Sequence, residues 1–390
     1  MEIIWIIFIA VTGACVGSFL NVVIWRMPRG ESLSFPPSHC PKCGHAISWY
    51  DNIPVLSWLL LRARCRKCKT KISAQYICIE LLTSALMLGL WFCYYRLDMR
   101  QGMGSLEQSW PTFTAHGVLI CALLACSIID MRFWHVPLGI CWFASITGIL
   151  IAGVFPNVQI IPPVGTTTQL ASLGAGIGLI ISWVLQRKGI LTPSFIDEIP
   201  QHNASAHDED APAKPRSIAA CKTDTLNPRI EVLRELGYLM PAIGLAVLFA
   251  LAYAKIPPLR AMIDELYASN QGKTGAHISS ALTALFGYLL GGALIWGTRI
   301  FGTIGFGKEA MGLGDVHILA AAGATCGPLV PVIAFFLAPV FGIIWAIYLA
   351  TRKKQAELPY GPWLSLGTLG AMLFYDKIMV YINQYTAQFN

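Results

Sequence analysis

Charge is what this chain has least of. Asp, Glu, Lys and Arg make up 13% of its residues against 55% hydrophobic, too few ionisable groups to clothe a water-soluble body of this length. A basic stretch is missing at the start, where Glu2 stands instead, and Thr12-Gly13-Ala14-Cys15 lacks the leucine of a lipoprotein box. The first apolar run is therefore expected to be a retained span and not a cleaved signal. Gly13 and Gly17 within it read as a small-xxx-small pair for helix packing. No strong internal repeat is visible, which weakens an inverted-repeat transporter.

What fills the chain is apolar runs of bilayer length or nearly so, at about 2–25, 76–95, 116–129, 138–155, 168–185, 237–254, 277–296, 329–350 and 363–381, with a shorter run at 316–327. They predict an all-α, polytopic integral membrane protein of about 8–10 membrane segments embedded in the lipid bilayer. Six basic residues and no acidic one lie between Arg62 and Lys71, which predicts a cytoplasmic loop after the first span. If the short run after Asp315 crosses, Arg187-Lys188, Arg299 with Lys308, and Arg352-Lys353-Lys354 share that side. Asp130 and Asp315 then both fall at the cytoplasmic edge.

The expected division is a first span (1–25), a cytoplasmic loop (26–75), membrane helices (76–185), a polar linker (186–235), inserted membrane helices (236–300) and C-terminal membrane helices (301–390). The linker contains His202-Asn203-Ala204-Ser205-Ala206-His207-Asp208-Glu209-Asp210, whose low hydrophobicity predicts disorder. Its sequon, Asn203-Ala204-Ser205, is expected to be inert on the cytoplasmic side. Arg229 to Glu235 reads as a short amphipathic lead-in to the next span.

Cys40-Pro41-Lys42-Cys43 and Cys65-Arg66-Lys67-Cys68 form two C-x-x-C knuckles with 21 residues between them. Four such thiolates can close a tetrahedron around Zn²⁺, with nearby Arg and Lys offsetting the excess negative charge. Disulfides or redox chemistry are the competing reading, disfavoured in a reducing compartment, and unmetallated thiols are a third. His39 and His45 are taken as ordinary loop residues. Of the other eight cysteines, most lie in apolar runs and read as small hydrophobes.

Asp130 closes one apolar run, and Asp315 ends Gly312-Leu313-Gly314-Asp315 and opens another. A carboxylate at membrane depth is costly to keep ionised, so each calls for a functional explanation and a partner. Paired carboxylates share a proton: one activates water while the other polarises a scissile carbonyl. Gly312 and Gly314 would let an extended peptide approach beside Asp315. The plainer alternative is that each aspartate merely ends or caps a helix, Asp315 being placed to act as an N-cap.

Several separated motifs resemble the bacterial prepilin peptidase family, the type IV leader peptidases. They are Gly17-Ser18-Phe19-Leu20-Asn21-Val22-Val23-Ile24-Trp25-Arg26, Ser34 to Gly44, Trp49 to Trp58, Cys65 to Cys68, Asp130 with Val136-Pro137, Gly312 to Val316, and Pro359-Tyr360-Gly361-Pro362. The resemblance implies a membrane aspartic endopeptidase, with Asp130 and Asp315 catalytic, that removes the leader of type IV prepilins and related pseudopilins at the cytoplasmic face of the bacterial inner membrane. It also implies N-methylation of the new N-terminus with S-adenosylmethionine, an activity associated with the cysteine-bearing half. Glu80 is a candidate contact for that donor, with a helix-packing or interfacial role as its alternative. No nucleic-acid partner is expected.

Three departures stand out. Phe133-Trp134-His135-Val136-Pro137 replaces a more basic stretch, His317 stands where lysine is common, and the interval between the aspartates is unusually long. The rivals are a presenilin-like intramembrane protease, opposed by the cysteine module and the lack of a Pro-Ala-Leu motif, and a proton-coupled transporter using the aspartates as a relay.

Overall fold

The computed structural model describes residues 2–156, 161–194, 228–268, 273–351 and 359–388. Among these residues the regular elements are helices, and the only β pairing is two isolated bridges, His39 with Ala46 and Arg64 with Lys71. Helix is what an apolar chain must adopt where no water can satisfy its backbone. In order they are α1 (Glu2–Arg26), α2 (Leu56–Leu60), α3 (Ala74–Tyr95), α4 (Leu106–Phe133), α5 (Leu138–Val154), α6 (Thr166–Arg187), α7 (Pro228–Lys255), α8 (Pro257–Ala268), α9 (Lys273–Phe306), α10 (Leu313–Cys326), α11 (Leu329–Thr351), α12 (Gly361–Leu373) and α13 (Tyr375–Thr386). Seven of them, α1, α3, α4, α6, α7, α9 and α11, are long and apolar enough to cross a bilayer, and α5 and α10 are shorter apolar helices.

The expected span at 363–381 is corrected. The chain leaves the helix at Phe374, so 13-residue α12 and 12-residue α13 replace one continuous crossing. The break is held from outside: Arg100 stacks on the Tyr375 ring at 4.0 Å, and the Gln101 N–H donates to Asp376 at 2.5 Å. The linker residues 195–227, the sequon among them, lie outside the described residues. Arg229 to Glu235, expected to lead into the next span, forms the opening two turns of α7.

The chain divides into two compact units, Met1–Ala144 with Leu337–Asn390, and Ser145–Phe336. In the first, α1 packs on α3 through the small pair predicted from sequence. A Cβ at Gly13 would lie 2.7 Å from the Ser84 Cα, and one at Gly17 would lie 2.7 Å from the Glu80 Cα. Asn21 adds a polar tie, donating to the carbonyls of Gly17 and Tyr76 at 3.2 and 3.1 Å. Leu20 and Ile24 of α1, Ile79 of α3, and Cys121, Ala125 and Ile129 of α4 close the core at one end.

In the second unit α6 packs on α7 through Gly174 and Gly178, each pressed against α7 backbone. α9 packs on α10 through Gly287, Gly291 and Gly323. Such contacts rest on close backbone approach because apolar burial gives helices no preference for each other over lipid.

Gly17→Leu is expected to force α1 from α3 and lower stability by about 1–3 kcal/mol. Gly89→Leu, on α3 where a Cβ meets nothing within 4 Å, is the control. Thermal unfolding in detergent measures both.

Candidate functional site

The loop between α1 and α3 brings Cys40, Cys43, Cys65 and Cys68 together, their sulfurs all within 4.8 Å of one another. Two matching turns do this. The Cys40 N–H donates to the His45 carbonyl at 2.9 Å and the Gly44 N–H to the Cys40 carbonyl at 2.9 Å; in the second knuckle the Cys65 N–H donates to the Thr70 carbonyl at 2.8 Å and the Lys69 N–H to the Cys65 carbonyl at 3.0 Å. Each turn ends in a left-handed residue, Gly44 at φ 65° and Lys69 at φ 57°. A four-sulfur group so arranged can hold a metal ion. His39 turns away, its Nδ1 lying 3.1 Å from the Pro37 carbonyl oxygen.

Backbone N–H groups of Cys68 and Lys67 aimed at the Cys65 sulfur hold its thiol down at about 6. At Cys43 the His45 N–H also pulls the thiol down, but desolvation and the thiols of Cys68, Cys40 and Cys65 outweigh it and push the thiol up to about 11. Arg66 grips Asp51 with two hydrogen bonds of 2.7 and 2.6 Å, tying the second knuckle to the segment 49–52. That contact keeps the Asp51 carboxyl below its usual range.

The loop is also fixed to the first unit from beneath. Glu80, buried in α3, accepts the Val55 N–H at 2.7 Å. Val55 has φ 62° and ψ −54°, with the Leu56 N–H reaching back to the Pro54 carbonyl at 2.6 Å. A β-branched residue at positive φ is strained and persists only where its surroundings hold it. Of the two sequence readings of Glu80, the structure displays the structural task.

Asp130 lies in the first unit, in the last turn of α4 directly after core residue Ile129, and is 7% exposed. Trp134, left-handed at φ 53°, closes that helix by donating its N–H to the Asp130 carbonyl. The Asp130 Oδ2 accepts the N–H of Gly361 at 3.1 Å. Gly361 is the first residue of α12, with Pro362 behind it, so a helix N-terminus offers its unpaired donor to the carboxylate. The sequence showed the Pro359-Tyr360-Gly361-Pro362 motif but gave no sign of this partnership.

Asp315 lies in the second unit, also 7% exposed, in the first turn of α10. The N-cap position belongs to Gly312, not to Asp315, because the helix begins at Leu313. Gly312 has an ordinary extended backbone (φ −69°, ψ 146°), and a Cβ there would meet only the Asp315 Oδ2 at 3.8 Å. Nothing in the fold therefore requires glycine at 312.

Lys69→Gly is expected to raise thermal stability of the loop by about 1 kcal/mol, and Gly44→Val to lower it by a similar amount, since each changes the cost of a left-handed turn. Limited proteolysis between α1 and α3 across a temperature series reads both.

The family model of the Bacterial Peptidase A24 N-terminal domain matches residues 11–94. A Myxococcus xanthus prepilin leader peptidase/N-methyltransferase is 36% identical over 193 residues, covering 47% of this chain and 51% of its own. An Escherichia coli type 4 prepilin-like proteins leader peptide-processing enzyme is 38% identical over 167 residues, covering 36% and 55%. A Vibrio cholerae prepilin leader peptidase/N-methyltransferase is 38% identical over 121 residues, covering 25% and 48%. The chain thus spans about half the length of the curated relatives it matches. No solved structure matches it. Residues 11–94 are thus similar to the Bacterial Peptidase A24 N-terminal domain, in a chain similar to prepilin leader peptidase/N-methyltransferases.

Proposed function

We propose that this chain is a membrane aspartic endopeptidase that cleaves the leader of type IV prepilins and pseudopilins at the cytoplasmic face of the bacterial inner membrane. The observation that carries the reading is that Asp130 and Asp315 are both buried carboxylates set in helix-end turns of apolar helices. A carboxylate at that depth is costly without a task. The names of the relatives supply the substrate class.

In the proposed chemistry one aspartate, ionised, takes a proton from water while the other, protonated, donates to the scissile carbonyl oxygen. As the tetrahedral intermediate collapses, the first aspartate passes the water's proton to the leaving nitrogen while the second takes back the proton from the hydroxyl that reforms the carbonyl, so acid and base roles swap in this step and the starting protonation is restored. The Gly361 N–H fixes the Asp130 carboxylate by one oxygen and leaves the other for this work. Glycine at 312, unneeded by the fold, leaves room for an extended peptide beside Asp315.

The metal proposed for the cysteine group is zinc in a structural role. A tetrahedral ion with Zn–S bonds of about 2.3 Å sets its sulfurs about 3.8 Å apart; the Cys40 and Cys68 sulfurs are 3.8 Å apart. The relatives' names also bring N-methylation of the new N-terminus under this proposal. S-adenosylmethionine would supply an electrophilic methyl group, and the chain's part would be to hold the amine neutral and close. Oε2 of Glu80 is engaged by Val55, and no side chain is assigned to the donor.

Asp130→Asn and Asp315→Asn are each expected to lower prepilin cleavage by about 10²–10⁴-fold with membrane insertion intact, read as precursor accumulating on gels. Wild-type cleavage in either variant removes that aspartate from the mechanism.

The purified protein is expected to carry zinc, and Cys65→Ser to lose it, by elemental analysis. The pH dependence follows from Cys65. Its thiolate contributes stability in full above the ordinary thiol value of 9.0, and the contribution is lost as pH falls through about 6. Metal binding competes with protonation of the thiolates, so acidification is expected to release the metal, at a pH below the value for the metal-free thiol.

A further inference from the structure

A buried ion pair in the second unit bears on how Asp315 is held. Arg299 of α9 and Glu235 of α7 are 3% and 2% exposed at their side chains, and their hydrogen bond is 2.7 Å. Glu235 also accepts from the Trp296 Nε1 at 3.1 Å and the Ser194 hydroxyl at 3.2 Å. The other arm of Arg299 reaches the segment leading into α10, where its Nη1 donates to the Glu309 carboxylate and to the Met311 carbonyl. One turn further along α9, the Thr303 hydroxyl accepts the Ala310 N–H at 3.4 Å. The three residues before Asp315, Gly312 to Gly314, thus follow directly on a segment tied down at two points on one face of α9.

The register of α9 against α10 shows what this controls. Gly287 meets Gly323, Gly291 meets Leu319, and Arg299 meets Met311. Each step of four forward along α9 is a step of four back along α10. Continued by one step beyond Gly291 and Leu319, that register would set Ile295, fully buried, level with Asp315. Arg299 is one helical turn beyond it on the same buried seam, where i, i+4 residues stack. At 34 residues α9 is about 51 Å long, longer than the roughly 30 Å apolar core, so its last turns can carry a charged residue near the membrane edge.

The geometry points to Arg299 and Glu235 as positioning residues that fix the entrance of α10, and hence the aim of the Asp315 carboxylate. This rests on the reading of Asp315 as catalytic. It gives α7, part of the interval that is unusually long in this chain, a task at the site. Glu235 neutralises Arg299 and orients its guanidinium, whose planar fork can serve a carboxylate on one side and a carbonyl on the other. Lysine, a point charge, cannot hold both in fixed directions.

Three variants of the full chain in detergent test this: Arg299→Lys, Arg299→Met, and Glu235→Gln with Arg299→Met. The single methionine variant leaves a buried glutamate without its cation and can fail to fold for that reason alone. The double variant removes both charges, and Arg299→Lys keeps the pairing. Readouts are kcat and KM for prepilin cleavage, and deuterium uptake by the segment 307–312 against that of α1 and α3. The double variant is expected to unfold within a few degrees of wild type, with kcat down about 10²-fold, KM little changed, and faster uptake confined to 307–312. Arg299→Lys should recover part of the kcat.

A double variant with wild-type kcat, or unchanged uptake at 307–312, overturns the proposal, as does loss through KM alone. Asp315→Asn run alongside separates the two readings. If it cleaves normally the catalytic assignment fails, while the deuterium uptake still reports on the latch. If it is dead while the Arg299 variants are fully active, the latch alone fails.

Discussion

A charged group carried into apolar surroundings is costly to leave without a partner, and much of the structure is organised by that requirement. The penalty for a buried unpaired charge exceeds the worth of most single contacts. The few charges that occur are accordingly committed to others. Glu80 takes the Val55 N–H, Asp130 takes the Gly361 N–H, and Glu235 takes three donors including Arg299. Each pairing joins segments far apart in sequence, so the polar groups set tertiary placement while the apolar residues, which face lipid as readily as protein, do not. Asn21 works in the same way, using its one amide nitrogen to join α1 to the start of α3.

Glycine completes the arrangement. α1 against α3, α6 against α7, and α9 against α10 each meet at glycines whose Cβ would strike the facing backbone. Close approach gains dispersion contacts along the whole seam and fixes register to a single step. On α9 that register runs from Gly287 through Gly291 to Arg299, so the packing which seats α10 and the ion pair which anchors its leading segment lie on one line. In the first unit the corresponding chain of dependence runs from Gly17 beside Glu80, through Glu80 to Val55, to the loop that gathers the four cysteines.

Much of this was legible in the sequence. The length and spacing of the apolar runs gave the helices, Gly13 and Gly17 marked the packing face of α1, and the two C-x-x-C knuckles gave the four-sulfur cluster, because each signal is local. Asp130 and Asp315 stood out because carboxylates are rare in apolar runs. The misreadings also have local causes. The run at 363–381 is apolar enough for one span, and it is Arg100 and Gln101, distant in sequence, that hold the break at Phe374.

The sequence by itself determined the helical membrane class, the two C-x-x-C knuckles whose sulfurs gather and the two carboxylates in apolar runs, since composition, periodicity and short spacing encode these without reference to the rest of the chain. Tertiary structure alone decided which donor each carboxylate meets: Gly361 for Asp130, Val55 for Glu80, and Arg299 with Trp296 and Ser194 for Glu235. The reason is physical. A buried charge needs a partner, but which one it takes depends on how glycine seams bring distant helices into register, and no local pattern records that.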